Sequence, residues 1–339
     1  MLNIGIVGCG YWGPNLIRNF RALSDCTMKI VCDQNAERLQ YIQSLYPDVN
    51  ITNDLNVLLN DPTLDAIGIA TPVRMHHEMG MASIEAGKHT FIEKPMAQSA
   101  AQCRQLILAA KAKNVKLMVG HTFTYSTPVR KIKEIYQSGE LGEIQYISCR
   151  RLNLGLFQKD INVTWDLAPH DISIIIKVLD DSPISVNCQG KAHIDPLIED
   201  VTNMTLNFNN GGFAIIQSSW LDPNKVREIT FVGTKKMLVY DDVEPNEKIK
   251  IYDKRVEKPP HYDTFAEFQY SYHYGDMHAP YLKQVEPLRA ECSHFIECIR
   301  MDMESETSGT DGLKVVEILE AASRSLKDGG KAVLIRDLD

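Results

Sequence analysis

A chain of 339 residues is longer than one typical domain, so two domains are expected. With 44% apolar and 24% charged residues and no low-complexity tract, the composition is that of a folded globular protein. A net charge of −8 without a basic stripe argues against a nucleic-acid partner. No apolar run reaches the roughly 18–20 residues needed to cross a bilayer, so no membrane segment is predicted.

The cysteines and the first residues indicate the compartment. Eight cysteines are scattered without a C-x-x-C pair or a cluster with histidine, which predicts free thiols and no metal site. Residues 1–4 lead directly into a predicted strand and leave no room for a signal sequence. We therefore expect a cytoplasmic protein that binds no metal.

Up to about residue 120, short apolar runs alternate with longer helical patterns. The runs are continuous, as in strands covered on both faces. The predicted strands cover residues 3–7, 28–32, 49–52, 66–70, 90–92 and 116–119. The predicted helices cover residues 14–23, 36–46, 54–59, 75–86 and 100–113. This alternation predicts an α/β Rossmann domain, with a doubly wound parallel sheet, over residues 1–121.

A glycine-rich sequence, Gly8-Cys9-Gly10-Tyr11-Trp12-Gly13, stands between the first predicted strand and helix. This G-x-G-x-x-G spacing lets the backbone approach a pyrophosphate at a helix N-terminus. Asp33 ends the second strand 20 residues after Gly13, where a carboxylate would bind the ribose hydroxyls and repel a 2′-phosphate. We predict NAD rather than NADP as the cofactor. The alternative is a glycine turn with an unrelated surface aspartate.

Beyond residue 122 the pattern becomes dominated by strands, over residues 143–150, 184–189, 201–208, 213–219, 226–232, 237–240 and 248–252. Helices are predicted at 129–137 and 167–179, and Asn209-Asn210-Gly211-Gly212 predicts a type I′ hairpin turn. Two C-terminal helices, at 288–301 and 311–327, are expected to pack back onto the first domain. The second domain is therefore predicted to cover residues 122–339.

Three further segments carry a resemblance to a known family. The sequence Ala70-Thr71-Pro72-Val73-Arg74-Met75-His76 follows the fourth strand, and Glu93-Lys94-Pro95 follows the fifth. The third segment is Trp165-Asp166-Leu167-Ala168-Pro169-His170-Asp171. Together with the glycine run, they resemble the Gfo/Idh/MocA oxidoreductases over essentially the whole chain. The resemblance implies a Rossmann domain followed by an α+β domain with a large open, mainly antiparallel sheet. The exposed face of that sheet commonly forms the oligomer interface, so a homodimer or homotetramer is expected.

The resemblance also implies where the chemistry lies. Ligands of doubly wound folds bind beyond the carboxyl ends of the strands. Thr71, His76 and Lys94 are expected to rim the nicotinamide end of the cofactor, and Pro72 and Glu93 are expected to bind the cofactor as well. Lys94 is predicted to stabilise an alkoxide or act as a base; the alternative is an ordinary surface lysine.

Asp166 and His170 are four residues apart and therefore share one helical face. The imidazole suits proton removal from a sugar hydroxyl, and the carboxylate can bind a neighbouring hydroxyl or orient the ring. Pro169 is expected in the first turn of this helix, because proline is tolerated there. A capping aspartate and a structural interface histidine are the alternative.

The substrate is suggested by Arg151 and Asn153 at the end of a strand. The Arg-x-Asn-x-Gly pattern resembles family members that oxidise nucleotide-linked sugars at C3, such as UDP-N-acetylglucosamine or its uronic acid. Arg151 would match a phosphate or carboxylate, or would instead form a salt bridge between domains or between subunits. Many relatives carry an arginine after a Gly-His pair, whereas this chain has Phe123-Thr124-Tyr125, so the sugar cannot be transferred from them. The Tyr- and His-rich residues 252–281 suggest a lid over the substrate or an interface loop.

Other functions stay open at this point. A free sugar, glycoside or inositol is an alternative substrate. The family also contains NAD-dependent glycosidases, which net NADH release would distinguish from a dehydrogenase. A non-catalytic NAD-sensing regulator has the same fold, but the presence of both Lys94 and His170 argues against it.

Overall fold

The computed structural model describes residues 1–257 and 270–335. The chain forms two compact units. Unit 1 comprises Met1–Ser126 and Val285–Glu320, and unit 2 comprises Thr127–Gln284 and Ala321–Asp339. The predicted boundary at residue 121 therefore lies within unit 1, and a C-terminal segment returns to that unit.

Unit 1 contains a six-stranded sheet in which every pair of neighbours is parallel. Its order is β3-β2-β1-β4-β5-β6, which confirms the predicted doubly wound α/β sheet. The strand order reverses between β1 and β4, the position where such sheets bind ligands. The strands are β1 (Leu2–Val7), β2 (Cys26–Cys32), β3 (Asn50–Thr52), β4 (Ala66–Ile69), β5 (His89–Glu93) and β6 (Leu117–Gly120).

The helices of unit 1 begin and end at residues suited to those places. Pro14 stands in the first turn of α1, where its missing N–H costs nothing, and Gly87 follows α4 with a φ of +73°. The side chains of Asn35 and Ser99 cap α2 and α5. These helices are α1 (Gly13–Arg21), α2 (Ala36–Leu45), α3 (Leu55–Leu59), α4 (Val73–Glu85) and α5 (Ala100–Lys113).

A C-terminal helix completes the core of unit 1. Helix α8 (Pro287–Arg300) places Phe295 against Phe20 of α1 and Phe91 of β5. The three rings meet edge to face with centroids 5.8–6.3 Å apart. Helix α9 (Gly309–Lys327) begins in unit 1, and the division between the units falls after its Glu320.

Unit 2 contains a nine-stranded sheet of order β14-β13-β12-β11-β7-β10-β9-β8-β15. Its strands pair antiparallel except β7 and β10, which are parallel. Helix α7 (Val163–Leu179) packs on β7, β9 and β10, and α6 (Thr127–Gln137) packs on α7. The strands are β7 (Ile144–Leu152), β8 (Ser185–Lys191), β9 (Val201–Asn207), β10 (Phe213–Ser219), β11 (Val226–Gly233), β12 (Met237–Asp241), β13 (Ile249–Glu257), β14 (Ser271–His278) and β15 (Val333–Leu334).

The face of this sheet opposite α7 carries a transverse row of apolar side chains that crosses six neighbouring strands. Each residue of the row is the direct pairing partner of the next one on the neighbouring strand. We call it the open-face row: Phe213, Tyr146, Val232, Met237, Tyr252 and Met277. The rings of Tyr146 and Phe213 stack with centroids 5.8 Å apart, and both are more than a third exposed.

Two local predictions about unit 2 were wrong, and a third falls partly on residues outside the described ranges. Helix α7 begins at Val163 because the Asn162 side chain accepts from the Trp165 N–H, so Pro169 lies inside the helix and not in its first turn. The hairpin at 209–212 is not type I′, because Gly211 alone in this turn has a positive φ. Of residues 252–281, the stretches 252–257 and 271–278 belong to β13 and to the edge strand β14, and 258–269 lie outside the described residues.

The eight cysteines are all buried free thiols. Within residues 1–257 and 270–335, no helix combines the length and apolar character needed to span a membrane. The cytoplasmic location stays a prediction.

Candidate functional site

The glycine loop of unit 1 is built so that side chains are excluded at two positions. Gly8 has a φ of +93°, and a Cβ there would lie 2.7 Å from the carbonyl oxygen of Ala70. A Cβ on Gly13 would lie 2.0 Å from the carbonyl oxygen of Gly8, so α1 can approach the loop this closely only with glycine. At Gly10, by contrast, an added Cβ would meet the Arg38 guanidinium, 3.2 Å away. The loop therefore has the tight turn and the bare backbone that a dinucleotide pyrophosphate requires.

The carboxylate of Asp33 lies against this loop. Its Oδ2 accepts from the Cys9 N–H at 2.7 Å, and its Oδ1 accepts from the Asn35 N–H at 2.8 Å. A carboxylate has about four lone-pair sites, so acceptor capacity remains for ribose hydroxyls. Asp33 is half-buried, and Tyr11 of the glycine loop is exposed. These residues fit NAD, because a carboxylate here could accept from ribose hydroxyls and would repel a 2′-phosphate.

His76 does not rim the site as predicted. The ring is 1% exposed, with Nδ1 2.8 Å from the carbonyl oxygen of Pro95 and Nε2 2.7 Å from that of Thr71. Burial lowers the pKa of this imidazole. The side chain therefore joins the loop after β4 to the loop after β5 from the interior. Thr71 itself lies beside Gly8, and the exposed Pro72 immediately precedes α4.

Glu93 is also an interior residue rather than an exposed cofactor contact. Its Oε1 accepts from the Trp12 indole N–H at 2.6 Å, and its Oε2 lies 3.3 Å from the Lys94 backbone N–H. Burial raises the pKa of the Glu93 carboxyl to about 7, against these two hydrogen bonds and the Lys94 charge. The carboxyl thus joins the glycine loop to the Glu-Lys-Pro segment. Lys94 is half-buried at the carboxyl end of β5, and its bond to Pro95 is cis.

In unit 2, α7 presents Asp166 and His170 on one helical face, four residues apart as predicted. Both are half-buried. Asp166 Oδ2 accepts from the indole N–H of Trp220 at 3.1 Å. Trp220 is 1% exposed and packs against Phe157 with ring centroids 5.3 Å apart. The indole therefore orients the carboxylate from a rigid, buried position.

Arg151 does not face a substrate. Its guanidinium is buried and binds Asp171 of α7 through two hydrogen bonds, of 2.7 and 3.0 Å. The salt bridge lies within unit 2, because odd-numbered residues of β7 point to the face that α7 covers. Arg150, on the opposite face, is exposed. Asn153 follows β7 and is half-buried, and its backbone N–H donates to the Ser219 carbonyl.

Comparison with known proteins decides the family. Residues 2–121 match the oxidoreductase family with an NAD-binding Rossmann fold, and residues 129–239 match the GFO/IDH/MocA C-terminal domain. The chain belongs to the Gfo/Idh/MocA oxidoreductases. The predicted family, enzyme class and NAD cofactor are thereby confirmed.

The chain is similar to other members along nearly its whole length. It is 26% identical to the oxidoreductase YrbE of Bacillus subtilis (strain 168), covering 96% of this chain and 94% of that one. It is 22% identical to the myo-inositol 2-dehydrogenase of Thermotoga maritima, covering 96% and 97%. The crystallised UDP-N-acetylglucosamine 3-dehydrogenase of Acidithiobacillus ferrooxidans superposes with a TM-score of 0.80 at 21% identity, covering 97% and 99%. This last similarity shows a shared fold.

Two residues beside the predicted ones were missed. Trp220 carried no sequence signal, because only the fold brings it to Asp166. Glu291, on α8, is completely buried, and its Oε2 accepts from the Thr122 hydroxyl at 2.8 Å. The sequence did contain a signal for Glu291. It stands three residues after Leu288 and four before Phe295, so it lies on the apolar face of the helix, where a carboxyl is unusual.

Proposed function

We propose that this oxidoreductase transfers hydride from a secondary hydroxyl carbon of a sugar to NAD, and that the sugar is nucleotide-linked and oxidised at C3. The observation that carries the proposal is the pairing of Asp166 and His170 on one face of α7, with the Asp166 carboxylate held by the buried Trp220. A carboxylate and an imidazole at this spacing can grip adjacent hydroxyls of one ring.

The dinucleotide is held by residues of unit 1. When bound, NAD supplies the nicotinamide carbon that accepts the hydride. We assign the dinucleotide contacts to Gly8, Gly10, Tyr11, Trp12, Gly13, Asp33, Thr71, Pro72 and Lys94, with Glu93 and His76 supporting them from the interior.

Lys94 and His170 divide the proton chemistry. The His170 imidazole removes the proton of the reacting hydroxyl, and the Lys94 ammonium stabilises the negative charge on that oxygen as the hydride leaves. Asp166 binds a neighbouring hydroxyl and orients the sugar. Lys94 belongs to unit 1 and His170 to unit 2, so their meeting over one alcohol carbon is part of the proposal.

The sugar class rests on sequence similarity rather than on Arg151. The Arg-x-Asn-x-Gly pattern and the Trp-Asp-Leu-Ala-Pro-His-Asp segment resemble enzymes that act on UDP-linked sugars, and one structural neighbour is a UDP-N-acetylglucosamine 3-dehydrogenase. Because Arg151 is occupied by Asp171, we withdraw it as a phosphate ligand and keep Asn153 as a substrate contact. The inositol dehydrogenase among the relatives supports a polyol as the alternative substrate.

The experiment that tests this proposal follows NADH absorbance with NAD and a panel of UDP-hexosamines, UDP-uronic acids, free hexoses and inositols. We expect net NADH formation with UDP-N-acetylhexosamines or their uronic acids. Turnover with inositols alone would show that the substrate is a polyol and not a nucleotide-linked sugar, while the proposed hydride transfer to NAD would stand. Hydrolysis without net NADH would instead indicate a glycosidase, and binding of NAD with no turnover on any compound would favour a regulator.

Cofactor choice gives the first prediction. In Asp33→Ser, the ratio of kcat/KM with NADP to that with NAD should rise at least about tenfold, because the carboxylate that repels a 2′-phosphate is lost. Steady-state kinetics with both cofactors measures the ratio. Asp48→Ser, a change at an exposed aspartate of the same unit, should leave it unchanged. An unaltered ratio in Asp33→Ser would contradict the role of Asp33.

Self-association gives the second prediction. We propose that two copies pair through the open-face row, since Phe213, Tyr146 and Met277 in it are exposed apolar side chains. The same sheet face carries Arg150 opposite Glu228, charges that a symmetric partner can match. Tyr146→Lys should shift the protein to monomers in light scattering after size exclusion. Tyr41→Lys, at an exposed tyrosine on α2, should not. An unchanged mass in Tyr146→Lys would refute this interface.

A further inference from the structure

Behind Lys94, unit 1 buries two carboxyl groups that interact with each other. Glu93 ends β5 and Glu291 lies on α8, with exposed fractions of 8% and 0%. Burial, followed by the charge of Glu93, raises the pKa of the Glu291 carboxyl well above its ordinary range. Because two anions in an apolar interior repel each other, the pair loses its two protons in separate steps.

The hydrogen bonds decide which member of the pair ionises first. Glu93 has two N–H groups at its oxygens, from Trp12 and from the Lys94 backbone, and it also lies near the Lys94 ammonium. Glu291 accepts one hydrogen bond, from Thr122, and its Oε1 is buried with no hydrogen-bond partner among the described residues. Donors stabilise a carboxylate, so the negative charge belongs on Glu93 and the proton on Glu291.

Other titratable groups that face the pair do not change this assignment. Burial raises the pKa of the Cys292 thiol on α8 and of the Tyr125 hydroxyl in the turn after β6, so both are neutral near pH 7. Burial lowers the pKa of the nearby His121 to about 4, so this ring is also neutral. On the β5 side, the positively charged group near the pair is the Lys94 ammonium, and its charge favours the ionised form of Glu93.

The chain also makes room for this arrangement. A Cβ on Gly120 of β6 would lie 2.9 Å from Glu93 Oε2, so glycine at this position leaves the carboxyl its place. Glu93 in turn holds Trp12, which belongs to the glycine loop. The position of that loop therefore depends on a charged acceptor at Glu93, since a hydrogen bond to an ion is stronger than one to a neutral group.

We propose that Glu291 is a positioning residue that acts as a buried neutral acid, leaving Glu93 as the charged carboxyl that holds Trp12 and the dinucleotide loop. The proposal rests on the NAD site proposed above. Its first test does not require NAD binding or turnover, so the two can fail separately.

Infrared difference spectroscopy tests the protonation directly. At about pH 8, the spectrum of the wild type minus that of Glu291→Gln should contain the carbonyl stretch of a protonated carboxylic acid. Glu297→Gln, the same change at an exposed position of α8, should remove carboxylate bands instead. Loss of carboxylate bands alone in Glu291→Gln would overturn the proposal.

NADH affinity tests the positioning. Glu291→Gln keeps a neutral group of the same shape, so the Kd for NADH at about pH 8, above the pKa of about 7 of Glu93, should stay within about threefold of the wild type. Glu93→Gln removes the charged acceptor of Trp12 and should raise the Kd about tenfold or more. On the alkaline side, the wild type should lose affinity as Glu291 ionises, whereas Glu291→Gln should not. If folded Glu291→Gln, checked by circular dichroism, lost affinity as severely as Glu93→Gln, then Glu291 would act as an anion and the proposal would be wrong.

Discussion

Replacing Lys94 by alanine should reduce kcat/KM for the sugar by about 10³-fold, while the Kd for NAD changes only a few-fold. The proposed ammonium acts where charge develops, on the alkoxide oxygen, and removing one such donor costs about 10²–10³-fold. The Kd for NAD should change little because Glu93 contacts the backbone of Lys94 and not its side chain, so the alanine variant keeps this contact. Steady-state kinetics and a separate NAD titration measure the two quantities.

Two further variants make this prediction specific. Lys113→Ala, at an exposed lysine at the end of α5, should behave like the wild type. Lys94→Arg keeps the positive charge but cannot lose a proton, so partial activity there would assign an electrostatic role and complete loss a role as base. Full turnover by Lys94→Ala would remove this residue from the mechanism.

Replacing His170 by alanine should lower kcat by about 10²–10⁴-fold, the usual contribution of a positioned general base. The side chain lies on the helical face that carries Asp166, so the cavity left by the ring should still face the bound sugar. Added imidazole should then restore part of the lost rate in His170→Ala. The assay is initial NADH formation against imidazole concentration.

A matched change shows whether the loss is chemical. His193→Ala removes an imidazole that binds Asp200 in the same unit, outside the proposed site, and imidazole should have no effect on its rate. A His170→Ala enzyme with unchanged kcat would exclude this residue as the base.

Local spacing explains why the cofactor part of the site could be predicted. Gly8, Gly13 and Asp33 act through backbone geometry and strand ends, which a strand–loop–helix pattern specifies directly. Asp166 and His170 share a face because a helix has 3.6 residues per turn. The parallel sheet followed from continuous apolar runs in the same way.

Where local spacing does not fix the direction of a side chain, tertiary packing decides it. His76 and Arg151 are polar residues next to functional segments, which made them candidates, yet the fold turns both inward to buried partners. Trp220 reaches Asp166 from 54 residues away, so no spacing could reveal it. Edge strand β14 was missed because its tyrosines and histidines resemble a loop composition more than an apolar alternation.

The most direct test of the central claim follows the hydrogen itself. With enzyme in excess and UDP-N-acetylglucosamine carrying deuterium at C3, the account predicts deuterium in the enzyme-bound reduced nicotinamide in the wild type and little or none in Lys94→Ala or His170→Ala within the same time. Transfer at the wild-type rate in both variants would contradict the account. So would NAD-saturated wild-type enzyme that transfers no label from this sugar or from any deuterated hexose or inositol.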